Sequence, residues 1–324
     1  MAEIQRANSI LLHCHPSPDP DSVGSALAMK FALEQMGKKA TVIRGDSPIP
    51  EGYALFPGID SIIQKNFGEV DLNSFDLFIS VDAANREQIT RYSELEFPLS
   101  IRTIVIDHHR TNPGYGAVNL VTSEYPATAQ IIFYLFKIWS VKLDHDIATN
   151  LFIGIYTDTG GFKFEGTDSR TLQAAAELSA LAKDFPKVIS IMENSFTPQD
   201  ISFQGVALDN TKSILNGAAG LSVVSYEQLK SKNIEPKYVR AGSISSILNS
   251  VKNWLFVGAV LEAESGKVRI SFRSKDANRF DVAKLAEAIG GGGHRAAAGA
   301  VVTGKSVAEV EGMVVSKAKE LYNL

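Results

Sequence analysis

The sequence predicts an α/β protein with an N-terminal parallel-sheet domain, helices on both faces of that sheet, and a smaller α+β C-terminal domain. Short apolar runs alternate with longer helical segments through the first half, the pattern of parallel strands with crossover helices. The second half instead places a hairpin pattern before two helices. At roughly 100–200 residues per domain, 324 residues suit two domains. We therefore predict a first domain over 1–185, a linker over 186–215 and a second domain over 216–324.

Four runs in the first half are predicted as buried parallel strands because they are short, apolar and rich in β-branched residues. They lie at 9–13, 40–44, 75–83 and 102–107. A helix is predicted over 22–37, where apolar residues recur at helical spacing and Gly37 supplies a stop. Further helices are predicted at about 127–140, 145–156 and 168–183.

The second half begins after a more polar stretch, 184–215, whose two prolines predict an irregular connector. Residues 253–274 then read as two strands that turn at Gly266. Helices are predicted over 280–289 and 306–322. These elements predict a compact α+β domain.

The amino-acid composition argues against several classes of function. Hydrophobic residues make up 45% and charged residues 21% of the chain, which is typical of a globular protein. The lone cysteine, Cys14, predicts a reducing, cytoplasmic location, and no segment reads as a membrane span or a secretory signal. A net charge of −4 argues against a broad basic surface for duplex nucleic acid. Short anionic ligands remain compatible with this charge.

Polar side chains that suit metal ions follow the predicted strands. Ligands gather at the carboxyl ends of parallel strands, so residues just after each strand are expected to meet at one edge. These candidates, together with an aspartate near the end of a helical segment, are His15, Asp19, Asp21, Asp82, Asp107, His108, His109 and Asp158. The set is large enough for two divalent ions.

The donor types favour Mn²⁺ or Mg²⁺ over structural zinc, because carboxylates dominate and thiolates are nearly absent. Asp82 stands alone after its strand and is the natural bridge between two ions. A single aspartate at a strand end also fits a helix cap. His13 fits a packed core position and His145 a surface position, whereas adjacent strand residues such as His108 and His109 would point to opposite faces.

The order of these residues resembles the four motifs of the DHH phosphoesterase family. The motifs are His15-x-x-Pro18-Asp19-x-Asp21, then Asp82, then Asp107-His108-His109 with Asn112, then Asp158-Thr159-Gly160. The segment GGGGHRAAAG at 290–299 resembles the signature of the DHH-associated C-terminal domain. The FPG at 56–58 and the SFRS at 271–274 resemble the NrnA-type nanoRNases, which are also described as phosphatases of 3′-phosphoadenosine 5′-phosphate (pAp).

The resemblance implies a role for each matching residue. One metal would bind His15, Asp19 and Asp82, and the other Asp21, Asp82, His108 and Asp158. Asp107 would orient an imidazole. His109 would lie beside the scissile phosphate and assist the leaving oxygen. Pro20 departs from the pattern, because many members have glycine there, and would stiffen the loop.

The glycine-rich segment allows two interpretations. Consecutive glycines let backbone N–H groups approach an anion, but they also suit a flexible helix exit. In the family reading the second domain holds the terminal phosphate and base of a short substrate. The residues expected to do so are Arg273, Ser274, Gly291, Gly292, Gly293 and His294.

The sequence thus predicts a two-metal phosphoesterase, with Mn²⁺ as cofactor and Mg²⁺ as the alternative ion, acting on short single-stranded oligonucleotides or pAp. Alternatives are the same chemistry on linear or cyclic dinucleotides, polyphosphate or pyrophosphate, and a regulator that binds nucleotides without cleaving them. A long single-strand exonuclease is less favoured, because the chain has no room for an added binding platform. The apolar segment 131–139 fits a buried core helix or the face of a homodimer.

Overall fold

The computed structural model describes residues 1–92, 97–98, 100–164, 166–194 and 196–323. The chain falls into two compact units, Met1–Ser195 and Phe196–Leu324. Each unit has its own sheet and its own buried apolar clusters. No helix in the described ranges is both long enough and apolar enough to cross a membrane.

The first unit contains a parallel sheet of five strands. They are β1 Ser9–His13, β2 Lys39–Ile43, β3 Leu77–Val81, β4 Arg102–Asp107 and β5 Val118–Val121. Their spatial order is β2-β1-β3-β4-β5, and every neighbouring pair is parallel. The sheet therefore places the carboxyl ends of β1, β3 and β4 side by side at one edge.

Six α-helices of the described residues belong to the first unit. They are α1 Ala2–Arg6, α2 Pro20–Gln35, α3 Thr128–Ile138, α4 His145–Asp158, α5 Ser169–Ser179 and α6 Phe185–Glu193. Helices α2, α3 and α4 contribute to the large cluster on one face of the sheet. Helix α2 lies so close to α4 that a Cβ at Gly24 would lie 2.4 Å from the Asn150 carbonyl oxygen. Glycine at this position lets α2, which carries Asp21, and α4, which carries Asp158, approach each other.

The other face of this sheet is covered by short 3₁₀ helices and loops. Its apolar cluster draws on strand residues such as Leu11 and Phe78, on the 3₁₀ turn Phe67–Glu69, and on loop residues such as Ile101. Among the described residues, the members of this cluster come from strands, 3₁₀ turns and loops. The α-helices of the described residues pack on the first face, and 3₁₀ helices contribute to the second.

In its described residues, the second unit contains a mixed sheet of six strands and five α-helices. The strands are β6 Thr211–Ile214, β7 Ala219–Val224, β8 Phe256–Glu264, β9 Lys267–Ser274, β10 Gly292–His294 and β11 Ala297–Thr303. The helices are α7 Pro198–Asp209, α8 Tyr226–Ser231, α9 Ala241–Leu248, α10 Val282–Glu287 and α11 Val307–Tyr322. The strand order is β10-β11-β9-β8-β7-β6, with only β7 and β8 parallel. Gly266, at φ 72°, makes the predicted turn between β8 and β9.

The prediction of an irregular connector over 184–215 is wrong, because this stretch holds α6, α7 and strand β6. Pro186 and Pro198 lie in the first turns of α6 and α7. A proline there removes no intrahelical hydrogen bond, since the first N–H groups of a helix have no partner within it. These prolines mark helix starts and not breaks.

The segment 131–139 was predicted as either a buried core helix or a homodimer face, and the structure shows a core helix. Ile131, Ile132, Phe133 and Phe136 of α3 are buried within the first unit. Ile138, near the end of the helix, is 75% exposed. The apolar face of α3 is thus used inside its own unit, and the homodimer stays a prediction.

Candidate metal centre

The loop after β1 brings three candidate ligands to the start of α2. Asp19 caps this helix by accepting a hydrogen bond from the Ser22 N–H at 2.9 Å. Pro20 occupies the first helical position, where its fixed φ suits the helix. The Ser22 hydroxyl accepts a hydrogen bond from the His15 N–H at 2.8 Å. The stiff loop thus positions both His15 and Asp19.

Asp21 is fully buried and is held by the start of α3. Its carboxylate accepts hydrogen bonds from the N–H groups of Thr128 at 2.7 Å and Ala129 at 3.0 Å. Burial and the nearby charge of Asp19 nevertheless raise the pKa of Asp21 to about 6. A cation beside this carboxylate would therefore stabilise its ionised form.

Asp82 follows β3 and has a left-handed backbone, with φ 58°. A non-glycine residue in this region costs about 1 kcal/mol or more, and such strain concentrates at functional sites. The Asp82 N–H donates to the Ile106 carbonyl at 3.0 Å, and its own carbonyl accepts a hydrogen bond from His15 Nε2. Burial, with Asp21 and Asp19 nearby, raises the pKa of Asp82 well above its usual value.

His108 and Asp158 complete the cluster from β4 and α4. His108 Nε2 lies 3.3 Å from Asp158 Oδ2 and 3.5 Å from Asp82 Oδ1. This nitrogen is buried and hydrogen-bonds to no described residue. Burial, followed by the neighbouring His109, lowers the pKa of His108 to about 4, so the imidazole is neutral at pH 7. A neutral, buried ring nitrogen aimed at two carboxylates suits a metal ligand.

Two overlapping groups of ligand atoms result, each with all its members within 4.8 Å of one another. One group is His15, Asp19 and Asp82, and the other is Asp21, Asp82, His108 and Asp158. A third combination joins Asp82 with His108 and His109. The structure thus brings together both ligand sets implied by the family resemblance, and Asp82 is common to them. Mostly carboxylate donors suit Mn²⁺ or Mg²⁺.

Asp107 and His109 form a separate pair beside the ligands. His109 Nδ1 donates to Asp107 Oδ1 at 2.7 Å, and Asn112 Nδ2 donates to the other carboxylate oxygen at 2.7 Å. Strand β4 ends at Asp107, so the alternation expected to separate His108 from His109 does not apply beyond it. The two rings lie with centroids 4.4 Å apart and both approach Asp82 Oδ1, but the hydrogen bond to Asp107 is made by His109.

Sequence reasoning missed the group that holds the Asp82 turn. The Ala83 carbonyl accepts hydrogen bonds from the Tyr115 hydroxyl and from Asn112 Nδ2, each at 3.0 Å. The Tyr115 oxygen also lies 2.7 Å from Ser80 Oγ, which is 3.0 Å from His13 Nε2. His13 is therefore a packed residue, whose pKa burial lowers to about 3. Tyr115 lies outside every motif, so no local signal identified it.

The second unit places two predicted binding residues on one face. In the antiparallel register Ala297 of β11 lies opposite Arg273 on one side and His294 on the other. Directly opposed residues point to the same face of a sheet, so Arg273 and His294 lie on either side of the Ala297 methyl group. Burial lowers the pKa of Arg273. Ser274 alternates to the other face, where its buried hydroxyl has no hydrogen-bond partner within the described chain.

The four glycines form a helix exit followed by a hairpin. Gly290 leaves α10 with φ 87°, and Gly293 has φ 141°. A Cβ at Gly291 would lie 2.1 Å from the Gly299 carbonyl oxygen. At Gly292 a Cβ would meet nothing within 4 Å, and its φ lies outside the left-handed range. The local backbone thus explains three glycines but leaves the fourth without a structural requirement.

A carboxylate and imidazole cluster at the carboxyl edge of a parallel sheet defines a class of α/β proteins suited to binding divalent metals. Within that class, this chain belongs to the DHH family. The model of the DHH family N-terminal domain matches residues 9–155, and that of the DHHA1 domain matches 222–321.

Three similar proteins cover almost the whole chain. The probable bifunctional oligoribonuclease and PAP phosphatase NrnA of Streptococcus mutans is 30% identical, across 100% of this chain and 97% of that protein. The bifunctional oligoribonuclease and PAP phosphatase NrnA of Bacillus subtilis is 27% identical, across 91% and 90%. The crystal structure of an exopolyphosphatase-related protein from Bacteroides fragilis superposes with a TM-score of 0.87 at 23% identity, covering 100% and 96% of the two chains. This last likeness shows the fold.

Proposed function

We propose that this protein is a two-metal phosphoesterase that hydrolyses very short oligonucleotides to mononucleotides and converts pAp to AMP. The observation that carries the proposal is the pair of ligand groups that share Asp82. The Streptococcus mutans relative, named as an oligoribonuclease and PAP phosphatase, supports the substrate class. Mn²⁺ is the proposed ion, with Mg²⁺ as the alternative, and the cytoplasm is the proposed location.

The metal ligands have defined roles in this proposal. His15, Asp19 and Asp82 hold one ion, and Asp21, Asp82, His108 and Asp158 hold the other. Bound together, two divalent ions would lower the pKa of a water and neutralise charge on a phosphoryl group. The buried carboxylates have raised pKa values because burial and mutual repulsion disfavour their charges, so bound cations would offset that repulsion.

The remaining residues orient the substrate and move a proton. Asp107 accepts the Nδ1 proton of His109, which fixes the ring and directs Nε2 to the leaving oxygen of the substrate. Arg273 suits a phosphate because a guanidinium makes two parallel hydrogen bonds to it. His294 lies on the same face of the hairpin and is proposed as a second contact. Gly291, Gly292 and Gly293 present backbone to the substrate.

Product analysis tests the proposal. Purified protein with Mn²⁺, alongside a chelator control, is offered pAp, a dinucleotide, a five-nucleotide RNA and pyrophosphate. Metal-dependent release of mononucleotides from the RNA and AMP from pAp is expected, with pyrophosphate left intact. Turnover of pyrophosphate alone would overturn the nucleotide assignment, and binding of nucleotides without any turnover would identify a regulator.

Gly292→Ala tests the role of the second unit. The added methyl group meets open space, so stability should not fall. If the substrate approaches this backbone, KM for pAp should rise while kcat changes little. Lys267→Ala at the far end of β9 provides a control on the same sheet. An unchanged KM in Gly292→Ala would remove Gly292 from the binding surface.

A further inference from the structure

The segment that follows the candidate ligand Asp158 holds an exposed aromatic ring, Phe164, that packs against the backbone of Gly160. Phe164, six positions after this ligand, is 60% exposed. A single exposed phenylalanine is ordinary on a protein surface and requires no explanation. This one differs because the backbone that presents it is unusual.

Three consecutive residues before Phe164 have left-handed backbones. Gly160, Gly161 and Phe162 have φ values of 58°, 67° and 65°. Glycine takes this conformation freely, whereas phenylalanine is strained by it. Strain of this kind persists only where surrounding contacts determine it, and it concentrates at functional sites.

The contacts that fix this loop centre on Thr159 and Phe162. Thr159 is buried, and its carbonyl accepts hydrogen bonds from the N–H groups of Lys163 and Phe164, each at 2.9 Å. Its hydroxyl oxygen accepts the Phe162 N–H at 3.0 Å. The Phe162 ring packs edge-on against Phe152 and Tyr156. The loop is therefore anchored at both its backbone and its strained residue.

The Phe164 ring occupies the place where Gly160 lacks a side chain. A Cβ at Gly160 would lie 2.5 Å from two ring carbons of Phe164. The ring is thus backed by the main chain directly after a metal ligand, while most of its surface stays open. Phe164 is thus an exposed aromatic ring on an anchored loop, in contact with the backbone two residues after Asp158.

We propose that Phe164 is a substrate-binding residue on which a nucleobase of the substrate stacks. The inference rests on the proposed nucleotide substrate and adds to it the residue that recognises the base. Stacking on an aromatic ring is tolerant of base identity, since every base has a π-face. A fixed ring also loses little conformational freedom on binding. The enzyme would thereby favour nucleotides over base-free phosphates without selecting a sequence.

The test compares a diadenosine dinucleotide with two analogues in which one nucleoside or the other is replaced by an abasic tetrahydrofuran. Wild type, Phe164→Ala and Phe164→Trp are assayed with Mn²⁺ for KM and kcat. Ile138→Ala, a similarly exposed apolar site at the far end of α3, serves as control. Mn²⁺ affinity of each variant is measured separately.

Phe164→Ala is expected to raise KM for the dinucleotide by about tenfold to a hundredfold, with kcat nearly unchanged. KM for one abasic analogue should not change, which identifies the stacked base, and Phe164→Trp should behave as wild type. Equal losses on all three substrates, or weaker Mn²⁺ binding, would show that the ring only supports the loop. Wild-type KM for the dinucleotide in Phe164→Ala would also overturn the inference. Failure of wild type to cleave any nucleotide would instead overturn the proposed function, and the stacking role with it.

Discussion

Thr128 donates its hydroxyl to Asp82 Oδ1 at 2.9 Å, although 46 positions separate the two residues in the chain. The N–H of the same threonine donates to Asp21. The first residue of α3 therefore holds the carboxylate shared by both ligand groups and a second ligand as well. The metal centre depends on the docking of α3 as much as on the strand ends.

Replacing the shared carboxylate should disable both ligand groups. Asp82→Ala is expected to reduce metal-dependent turnover by at least about a hundredfold, more than the loss typical of residues that only support a ligand. Binding of the nucleotide should persist, because Arg273 and His294 are untouched. Kinetics and Mn²⁺ titration measure the two effects, with the exposed Asp60→Ala as control. Full activity in Asp82→Ala would contradict the proposed metal site.

Removing one hydroxyl should weaken the site without unfolding it. Tyr115→Phe keeps the ring but deletes one of the two hydrogen bonds that the Ala83 carbonyl accepts, directly after the strained Asp82. We expect roughly tenfold weaker Mn²⁺ affinity, the lower end of the effect of supporting residues. Isothermal titration with Mn²⁺ measures this affinity, and Tyr92→Phe, at a residue that is 71% exposed, is the control. Equal affinities would mean that the turn is held by other contacts.

A methyl group in α4 should disturb Asp21. In Gly154→Ala the new Cβ would lie 2.7 Å from Asp21 Oδ1 and 2.8 Å from the Ala129 Cβ. Overpacking of this kind costs about 1–3 kcal/mol, and displacement of Asp21 should also weaken metal binding. Gly205→Ala is the matched control, because a Cβ in that helix meets nothing within 4 Å. It should stabilise the chain by up to about 1 kcal/mol. Urea unfolding measures the change in stability of each variant, and metal titration measures its change in metal affinity.

Acid should weaken the start of α7. Burial raises the pKa of Asp200, but hydrogen bonds from Thr197, at 2.7 and 2.8 Å, and the charge of Arg240 outweigh it, so the pKa lies below its usual value. A depressed carboxyl pKa adds stability above the unfolded pKa of about 3.9, and this stability is lost as pH falls through the folded pKa.

Asp200→Ala should therefore cost about 1 kcal/mol at pH 7, the usual value of a helix cap, and less near pH 3. Denaturant unfolding at several pH values measures this difference. Asp209→Ala, at the opposite end of the same helix, should show no such loss. A pH-independent deficit in Asp200→Ala would mean that the carboxyl charge contributes nothing.

The sequence predicted the strands and the residues that cluster at the sheet edge because both depend on local patterns. Runs of buried β-branched residues gave β1 and β4 with their observed bounds, and the strand ends then indicated the edge where Asp82 and His108 lie. Strand β5 was not predicted, because Val118 and Leu120 are exposed and the strand is only four residues long. Helices α6 and α7 were not predicted, because each begins with a proline in its first turn and proline also ends helices.

What the sequence could not provide was contact across the chain. Thr128, Tyr115 and Gly154 are ordinary residues locally, and each acquires its role by meeting a residue at least 30 positions away. The left-handed backbone of Asp82 is likewise set by its surroundings and not by its own type. Sequence patterns therefore identify candidate ligands, whereas the residues that hold them emerge only from the folded chain.

The candidate ligands are dispersed from His15 to Asp158, on three strand ends and two helices. No short peptide from this chain could carry the site, since its carboxylates converge only when the sheet and α4 are assembled. Ion uptake would accordingly report how much of the protein is native, and added ion would stabilise it by mass action. A destabilised variant would thus be inactive at trace metal concentration and regain activity when the ion is abundant. Activity measured at a single metal concentration would then not distinguish a loss of stability from a loss of catalysis.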